Sequence, residues 1–103
     1  MAFVKVATLN ELAEGAFISV EHDGEPLALY CVEGTVYATR DACTHDGGTL
    51  SGGTLSGTVI CCPRHGAKFD ITSGAVLALP AFEPLQTYEV RQEGNDVYVD
   101  LES

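Results

Sequence analysis

The chain has 103 residues, 46% of them apolar, which is enough for one globular domain and too short for a second hydrophobic core. Fifteen acidic residues against five basic ones give a formal net charge of −10. This charge excludes nucleic acid and anionic membrane surfaces as partners, and it favours docking on basic protein surfaces.

No targeting or membrane-spanning segment is recognisable in the sequence. The longest apolar run, residues 75–82, is interrupted by Pro80 and is too short to cross a bilayer. The first residues lack the charged segment and the long apolar segment of a secretory signal. We therefore expect a cytoplasmic protein.

Short β-strands separated by turns are predicted along most of the chain. Strands are expected at 3–6, 16–22, 27–32, 36–39, 58–61, 86–91 and 96–101, with one short helix at 9–14. Turns are expected at Asp23-Gly24, at Glu33-Gly34 and at 92–95. The last strand should bury Val97, Val99 and Leu101 and expose Tyr98, Asp100 and Glu102. The pattern predicts an all-β sandwich or barrel.

The middle of the chain is rich in glycine, since residues 43–66 hold six of the eleven glycines. Within it, residues 48–57 are a tandem Gly-Thr-Leu-Ser-Gly pair, which we interpret as turn chemistry because two such units are too short for a solenoid. Ordering a glycine-rich insertion costs backbone entropy, so we expect a bound group to offset that cost.

Two close Cys–His pairs indicate a metal site in this region. Cys43 and His45 form one pair, and Cys62 and His65 form the other. A zinc site can use two Cys and two His, but zinc modules commonly group like with like and space the ligands further apart. The mixed pairs fit two adjacent metal atoms better, as in a [2Fe–2S] cluster with both Cys on one iron and both His on the other. A nucleophilic Cys62–His65 dyad would leave the first pair unused.

The two segments resemble the cluster loops of the Rieske family. The first reads Cys-Thr-His-Asp-Gly-Gly-Thr-Leu (43–50), and the second reads Cys-Pro-Arg-His-Gly-Ala-Lys-Phe-Asp (62–70). The short chain with strands on both sides of the loops is similar to the Rieske ferredoxins of bacterial aromatic-ring-hydroxylating dioxygenase systems. The resemblance implies a β-sandwich base with a small Gly-rich cluster-binding subdomain, in a single domain spanning 1–103.

The same resemblance implies an electron carrier and not an enzyme. It would hold one Rieske [2Fe–2S] cluster and pass single electrons from an NAD(P)H-dependent flavin reductase to a terminal oxygenase. The implied ligands are Cys43, His45, Cys62 and His65. Cys31 and Cys61 are expected to be non-ligands, one in the core and one on the opposite face of its strand.

Other positions of the two loops imply a low reduction potential. Respiratory Rieske proteins brace the cluster with a disulfide, and the matching positions here are Gly48 and Arg64. They also place Ser and Tyr hydroxyls near the cluster sulfurs, where this chain has Ala67 and Phe69. Without those donors the reduced cluster is less stabilised, which indicates the low end of the Rieske range, roughly −150 mV.

Further roles implied by the resemblance concern the surroundings of the cluster. Leu50 would shield it, residues 80–84 would form a third loop over its flank, and Gly47 and Gly66 would let backbone N–H groups reach the sulfurs. Two alternatives stay open at this point: the small subunit of an assimilatory nitrite reductase, which shares the fold, and a zinc-stabilised interaction module.

Overall fold

The computed structural model describes residues 3–42, 50, 52–63, 66–79 and 83–102. Its ten strands are β1 (Phe3–Thr8), β2 (Phe17–His22), β3 (Glu25–Val32), β4 (Thr35–Arg40), β5 (Thr54–Ser56), β6 (Val59–Cys61), β7 (Lys68–Asp70), β8 (Val76–Ala78), β9 (Thr87–Glu93) and β10 (Asp96–Asp100). One 3₁₀ turn, Leu9–Glu11, is the helical part of these described ranges. The predicted all-β class is confirmed. In the described ranges no helix has the length and apolar character needed to span a membrane.

Six strands form the larger sheet, in the order β1-β10-β9-β4-β3-β2, and every neighbouring pair is antiparallel. The sheet consists of two three-stranded halves joined by a short β4–β9 pairing. Because β1 and β2, the two ends of the order, also contact each other, the halves enclose a common core. We call this core the base core; its buried members are Ala7, Leu12, Leu27, Leu29, Cys31, Val36, Ala38, Tyr88, Val97 and Val99.

A second, four-stranded antiparallel sheet has the order β5-β6-β7-β8 and is built from the middle of the chain. It packs against the outside of β3 through a separate set of buried residues. We call this set the loop core; it comprises Ala28, Tyr30, Leu50, Ile60, Cys62, Ala67, Phe69, Ile71 and Leu85. Strand β3 is therefore buried on both faces, which explains its nearly continuous apolar sequence.

The hairpin turns follow the predicted chemistry. Asp23-Gly24 joins β2 to β3 and Glu33-Gly34 joins β3 to β4, and all four residues have positive φ angles, between 50° and 82°. Two-residue turns of this kind match the right-handed twist of the flanking strands. The β9–β10 turn is shorter than predicted, because Glu93 still pairs with Asp96 and only Gly94-Asn95 forms the turn.

The predicted helix at 9–14 is wrong beyond its first turn. The 3₁₀ turn begins with the Thr8 N–H donating to the Glu11 carboxylate at 2.7 Å. Leu12 then has extended backbone angles and inserts into the base core. Burial of this side chain outweighs continuation of a short helix, which is marginal in water.

Two further predictions need correction. Asp100 was expected on the solvent face of the last strand, but it is buried, and its carboxylate accepts the N–H of Glu102 at 2.9 Å. Strands β5, β7 and β8 were not predicted, because three residues are too few for a periodic pattern. The second Gly-Thr-Leu-Ser-Gly unit thus contains a strand, β5, as well as a turn.

Candidate metal centre

Cys62 is the predicted ligand that lies within the described residues. It follows β6 and is 2% exposed. Its N–H donates to the Ala67 carbonyl at 2.7 Å, and its carbonyl accepts the N–H of Gly66 at 3.3 Å, so the backbone of Cys62 is paired with both residues that follow the second Cys–His pair. Cys43, His45 and His65 lie outside the described residues, as do Gly47, Gly48, Arg64 and residues 80–82. Their predicted roles stay predictions.

The N–H of Gly66 donates to the carbonyl of Cys62. The predicted role of Gly66, which is to let backbone N–H groups reach the cluster sulfurs, stays a prediction. A Cβ added to Gly66 would meet no described residue within 4 Å, but the φ of +77° is a conformation that L side chains rarely adopt. This backbone conformation therefore favours glycine here.

The described side chains that pack with Cys62 in the loop core are largely apolar. Leu50, Ala67 and Phe69 are fully buried in the same loop core, and none of these side chains carries a hydrogen-bond donor. Tyr30 also belongs to this core, but its hydroxyl pairs with the Thr39 hydroxyl at 2.9 Å. Burial raises the pKa of Tyr30 to about 12. The tyrosine is a neutral packing residue at ordinary pH.

The two predicted non-ligand cysteines lie where the sequence indicated. Cys31 is buried in the base core, and burial, aided by the nearby Glu14 carboxylate, raises the pKa of its thiol. Cys61 is half-buried and points to the face of the small sheet opposite Ile60. There it lines an apolar groove of about 490 Å³ together with Lys68 and Leu77.

One buried carboxylate beside the first loop was not singled out from the sequence. Asp41 follows β4, is 4% exposed, and accepts the N–H of Leu50 at 2.8 Å. Its other oxygen accepts the hydroxyl of Ser19. Its position directly after a strand and two residues before Cys43 was the available sequence signal.

A close backbone approach occurs at Gly53, which sequence reasoning also missed. A Cβ there would lie 2.2 Å from the carbonyl oxygen of Cys61 and 2.9 Å from that of Leu50. Gly53 N–H donates to the Leu50 carbonyl at 3.0 Å. The absent side chain therefore lets the end of the first loop pack directly against the start of the second.

The described residues fit an iron–sulfur cluster. Cys62 is a free, buried thiol next to apolar side chains, and a thiolate is the soft ligand that such clusters use. When bound, the cluster takes up and releases one electron. Within the described ranges, no three His, Cys, Asp or Glu side chains are close enough to hold a metal ion, and three of the four predicted ligands lie outside those ranges.

Comparison with known proteins gives matches over almost the whole chain. The Rieske [2Fe–2S] domain family matches residues 2–89. The ferredoxin component of biphenyl 2,3-dioxygenase from Rhodococcus jostii (strain RHA1) is 42% identical over 102 residues, covering 99% of this chain and 95% of the relative. The ferredoxin component of the naphthalene 1,2-dioxygenase system from Pseudomonas aeruginosa is 40% identical, covering 96% and 95%.

Solved structures give the same result. The ferredoxin of carbazole 1,9a-dioxygenase from Nocardioides aromaticivorans IC177 superposes with a TM-score of 0.90 at 32% identity, covering 96% of this chain and 97% of that one. A chain in the complex of reduced oxygenase and oxidized ferredoxin of carbazole 1,9a-dioxygenase superposes with a TM-score of 0.88 at 40% identity, covering 94% and 91%.

These matches confirm the predicted Rieske fold, the [2Fe–2S] cluster and the role of an electron-carrying ferredoxin that is not itself an enzyme. They leave the zinc-stabilised module and the nitrite reductase subunit without support. The chain belongs to the Rieske [2Fe–2S] domain family.

Proposed function

We propose that this protein carries single electrons from an NAD(P)H-dependent flavin reductase to the terminal oxygenase of an aromatic-ring-hydroxylating system. Its relatives are ferredoxin components of biphenyl and naphthalene dioxygenase systems. A structural neighbour is a complex between a ferredoxin and its oxygenase. We include a flavin reductase as the electron donor for a chemical reason. NAD(P)H gives up two electrons together, a one-electron carrier accepts them singly, and flavins can separate the two.

Two loops of one domain, spanning 1–103, would hold the cluster, at about 43–50 and 62–70. The proposed ligands are Cys43, His45, Cys62 and His65. The observation that carries this proposal is the buried, free thiol of Cys62 in its apolar core. The last three residues of the second segment form β7, so the loop proper ends before Lys68.

A cytoplasmic location is part of the proposal. Cys31, Cys61 and Cys62 are free thiols, the form that a reducing compartment maintains.

The ligand set is tested by exchanging cysteines. Cys62→Ser should abolish the visible absorbance and the iron content of the purified protein and weaken the fold around both loops, because ligation energy is also folding energy. Cys31→Ser and Cys61→Ser are the matched controls and should keep both signals. Iron near zero in the wild type, or cluster loss in Cys61→Ser, would contradict the proposed ligands.

The role is tested by reconstitution. Mixed with NADH, a flavin reductase and the oxygenase of a naphthalene or biphenyl system, the holoprotein should support hydroxylation that stops when it is omitted. A holoprotein that is reduced chemically but supports no oxygenase turnover with any such system would refute the proposed partners.

A further inference from the structure

Asp41 lies where the base meets the first cluster loop, and its carboxylate is almost completely buried, at 4% exposure. Burying a carboxylate is costly unless its oxygens accept hydrogen bonds. Both oxygens do: one accepts the N–H of Leu50 at 2.8 Å, and the other accepts the hydroxyl of Ser19.

On the side of the larger sheet, hydrogen bonds attach Asp41 to two strands. Ser19 lies in β2 and pairs with Ala28 of β3. The backbone N–H of Asp41 itself donates to the carbonyl of Pro26, also in β3, at 3.0 Å. Asp41 is thus attached to two neighbouring strands of the larger sheet before the first loop begins.

On the side of the first loop, Leu50 connects Asp41 to the residues around Cys62. Leu50 is the residue at which the first predicted loop ends, and it is fully buried. Its side chain packs in the loop core with Cys62, Ala67 and Phe69. The Leu50 carbonyl accepts the N–H of Gly53, whose backbone lies against Cys61.

The Asp41–Leu50 hydrogen bond therefore joins the two ends of segment 42–49. That segment contains Cys43 and His45, half of the proposed ligand set. Closing a short loop costs little entropy once its ends are held, and fixed ends restrict the positions that its ligands can adopt.

We infer that Asp41 is a positioning residue for electron transfer: its carboxylate closes the first cluster loop on Leu50 and thereby sets where Cys43 and His45 hold the cluster. This inference rests on the proposed ligand set. It assigns the effect to the hydrogen-bond acceptor and not to the negative charge of the carboxylate.

Three holoprotein variants separate the hydrogen bond, the charge and general stability. Asp41→Ala removes the acceptor, and Asp41→Asn removes the formal charge but keeps an oxygen for the Leu50 N–H. Asp100→Ala is the control, because Asp100 is the other described buried Asp, lies in β10, and belongs to neither the loop core nor the first loop.

The rate of cluster bleaching by EDTA and the EPR g values of the reduced cluster are then measured, with thermal unfolding alongside. Asp41→Ala should lose the cluster about tenfold faster, as expected when the buried Leu50 N–H loses its hydrogen-bond acceptor, and should shift the g values. Asp41→Asn should stay close to wild type in both signals. Asp100→Ala should lower the unfolding temperature and leave both cluster signals unchanged.

Three outcomes would overturn the inference: wild-type bleaching in Asp41→Ala, equal acceleration in Asp41→Asn and Asp41→Ala, or altered g values in Asp100→Ala. If Asp41→Ala yields no folded holoprotein, Ser19→Ala is tested in its place, because it removes the hydroxyl that donates to the Asp41 carboxylate. Faster bleaching in Ser19→Ala than in wild type supports the inference, and an unchanged rate refutes it. A wild type without iron would instead refute the proposed function.

Discussion

Ala67 and Phe69 are fully buried in the loop core with Cys62, and neither side chain can donate a hydrogen bond. Ala67→Ser combined with Phe69→Tyr should raise the midpoint potential, because each hydroxyl is a potential donor toward a cluster sulfur and would stabilise the reduced state. Voltammetry of the wild type and of the variant measures the shift.

The control for this change is Ala38→Ser, which places a hydroxyl in the base core instead of the loop core. It should cost about 1–3 kcal/mol of stability if the hydroxyl finds no partner, and it should leave the potential unchanged. A strongly positive wild-type midpoint, or equal shifts in both variants, would contradict the explanation from missing donors.

Among the described glycines, Gly53 is the one whose replacement should disturb the site most directly. Gly53→Ala places a Cβ 2.2 Å from the Cys61 carbonyl, so one of the two backbone segments must move. We expect a loss of about 1–3 kcal/mol in the free energy of unfolding, as for an overpacked core, together with faster cluster loss. Chemical denaturation and absorbance measure the two effects.

Thr54→Ala is the matched control for Gly53→Ala, because Thr54 is the next residue and is exposed in β5. Its effect on stability should stay within about 0.5 kcal/mol. A Gly53→Ala protein with wild-type stability and cluster retention would contradict this prediction, because it would mean that the backbone at Gly53 can move away from the Cys61 carbonyl without loss of stability.

The β3–β4 hairpin depends on a carboxylate from outside it. Glu14 accepts the N–H groups of Glu33 at 2.6 Å and of Gly34 at 2.9 Å, and these bonds lower the pKa of Glu14 from its usual 4.5. Because the folded-state pKa is depressed, this contribution is complete above the unfolded-state pKa and is lost as pH falls through the folded-state value.

Glu14→Gln should therefore be less stable than wild type at neutral pH, and the difference should shrink at acidic pH. Unfolding temperatures measured across the acid range test this. Glu21→Gln, which removes the same charge from an exposed position of β2, is the control and should not show the pattern. A difference between Glu14→Gln and wild type that is constant with pH would argue against the carboxylate–turn bonds.

The acidic charge is unevenly distributed along the chain. Residues 43–85, which contain both proposed loops, hold three acidic and two basic residues, a net charge of −1. The other 60 residues hold twelve acidic and three basic residues, a net charge of −9. The larger share of the negative charge therefore lies outside the segment that contains both proposed loops.

Reduction by the proposed flavin reductase should slow as salt rises, under conditions where encounter limits the rate. The Debye length falls from ~30 Å at ~0.01 M to ~10 Å at ~0.1 M, so the larger share of the negative charge should be screened across that range. Stopped-flow traces over this range measure the second-order rate constant.

A rate constant that is flat or rises with salt would indicate apolar docking instead. Leu50 is fully buried and offers no surface for such docking. Leu77 and Leu79, 52% and 69% exposed, are the large apolar side chains that the described surface presents. Leu79 directly follows β8, beyond the Lys68–Ala78 pair and therefore toward Ala67 and the turn at Cys62.

Local sequence patterns were sufficient for the base of the fold and for the identity of the family. Alternating apolar residues, Asp-Gly and Glu-Gly turns, and the Cys–His spacing depend on neighbours in the chain, so they predicted the long strands, two hairpins and the cluster. They failed where a contact comes from elsewhere. The predicted helix ended early because Leu12 fills the base core, and Asp100 is buried although its strand position indicated exposure.

Only the tertiary structure decided how the two loops are held. Asp41 meets Ser19 because the consecutive β2–β3 and β3–β4 hairpins bring them together, and it meets Leu50 across the first loop; Gly53 is needed because its backbone lies against Cys61. No local periodicity encodes either contact, and β5, β7 and β8 are three residues each, stabilised by the sheet and core they share rather than by their own propensity. The proposed ligands can be recognised in two short sequence motifs, but the hydrogen bonds of Asp41 and the close approach of Gly53 exist only in the folded chain.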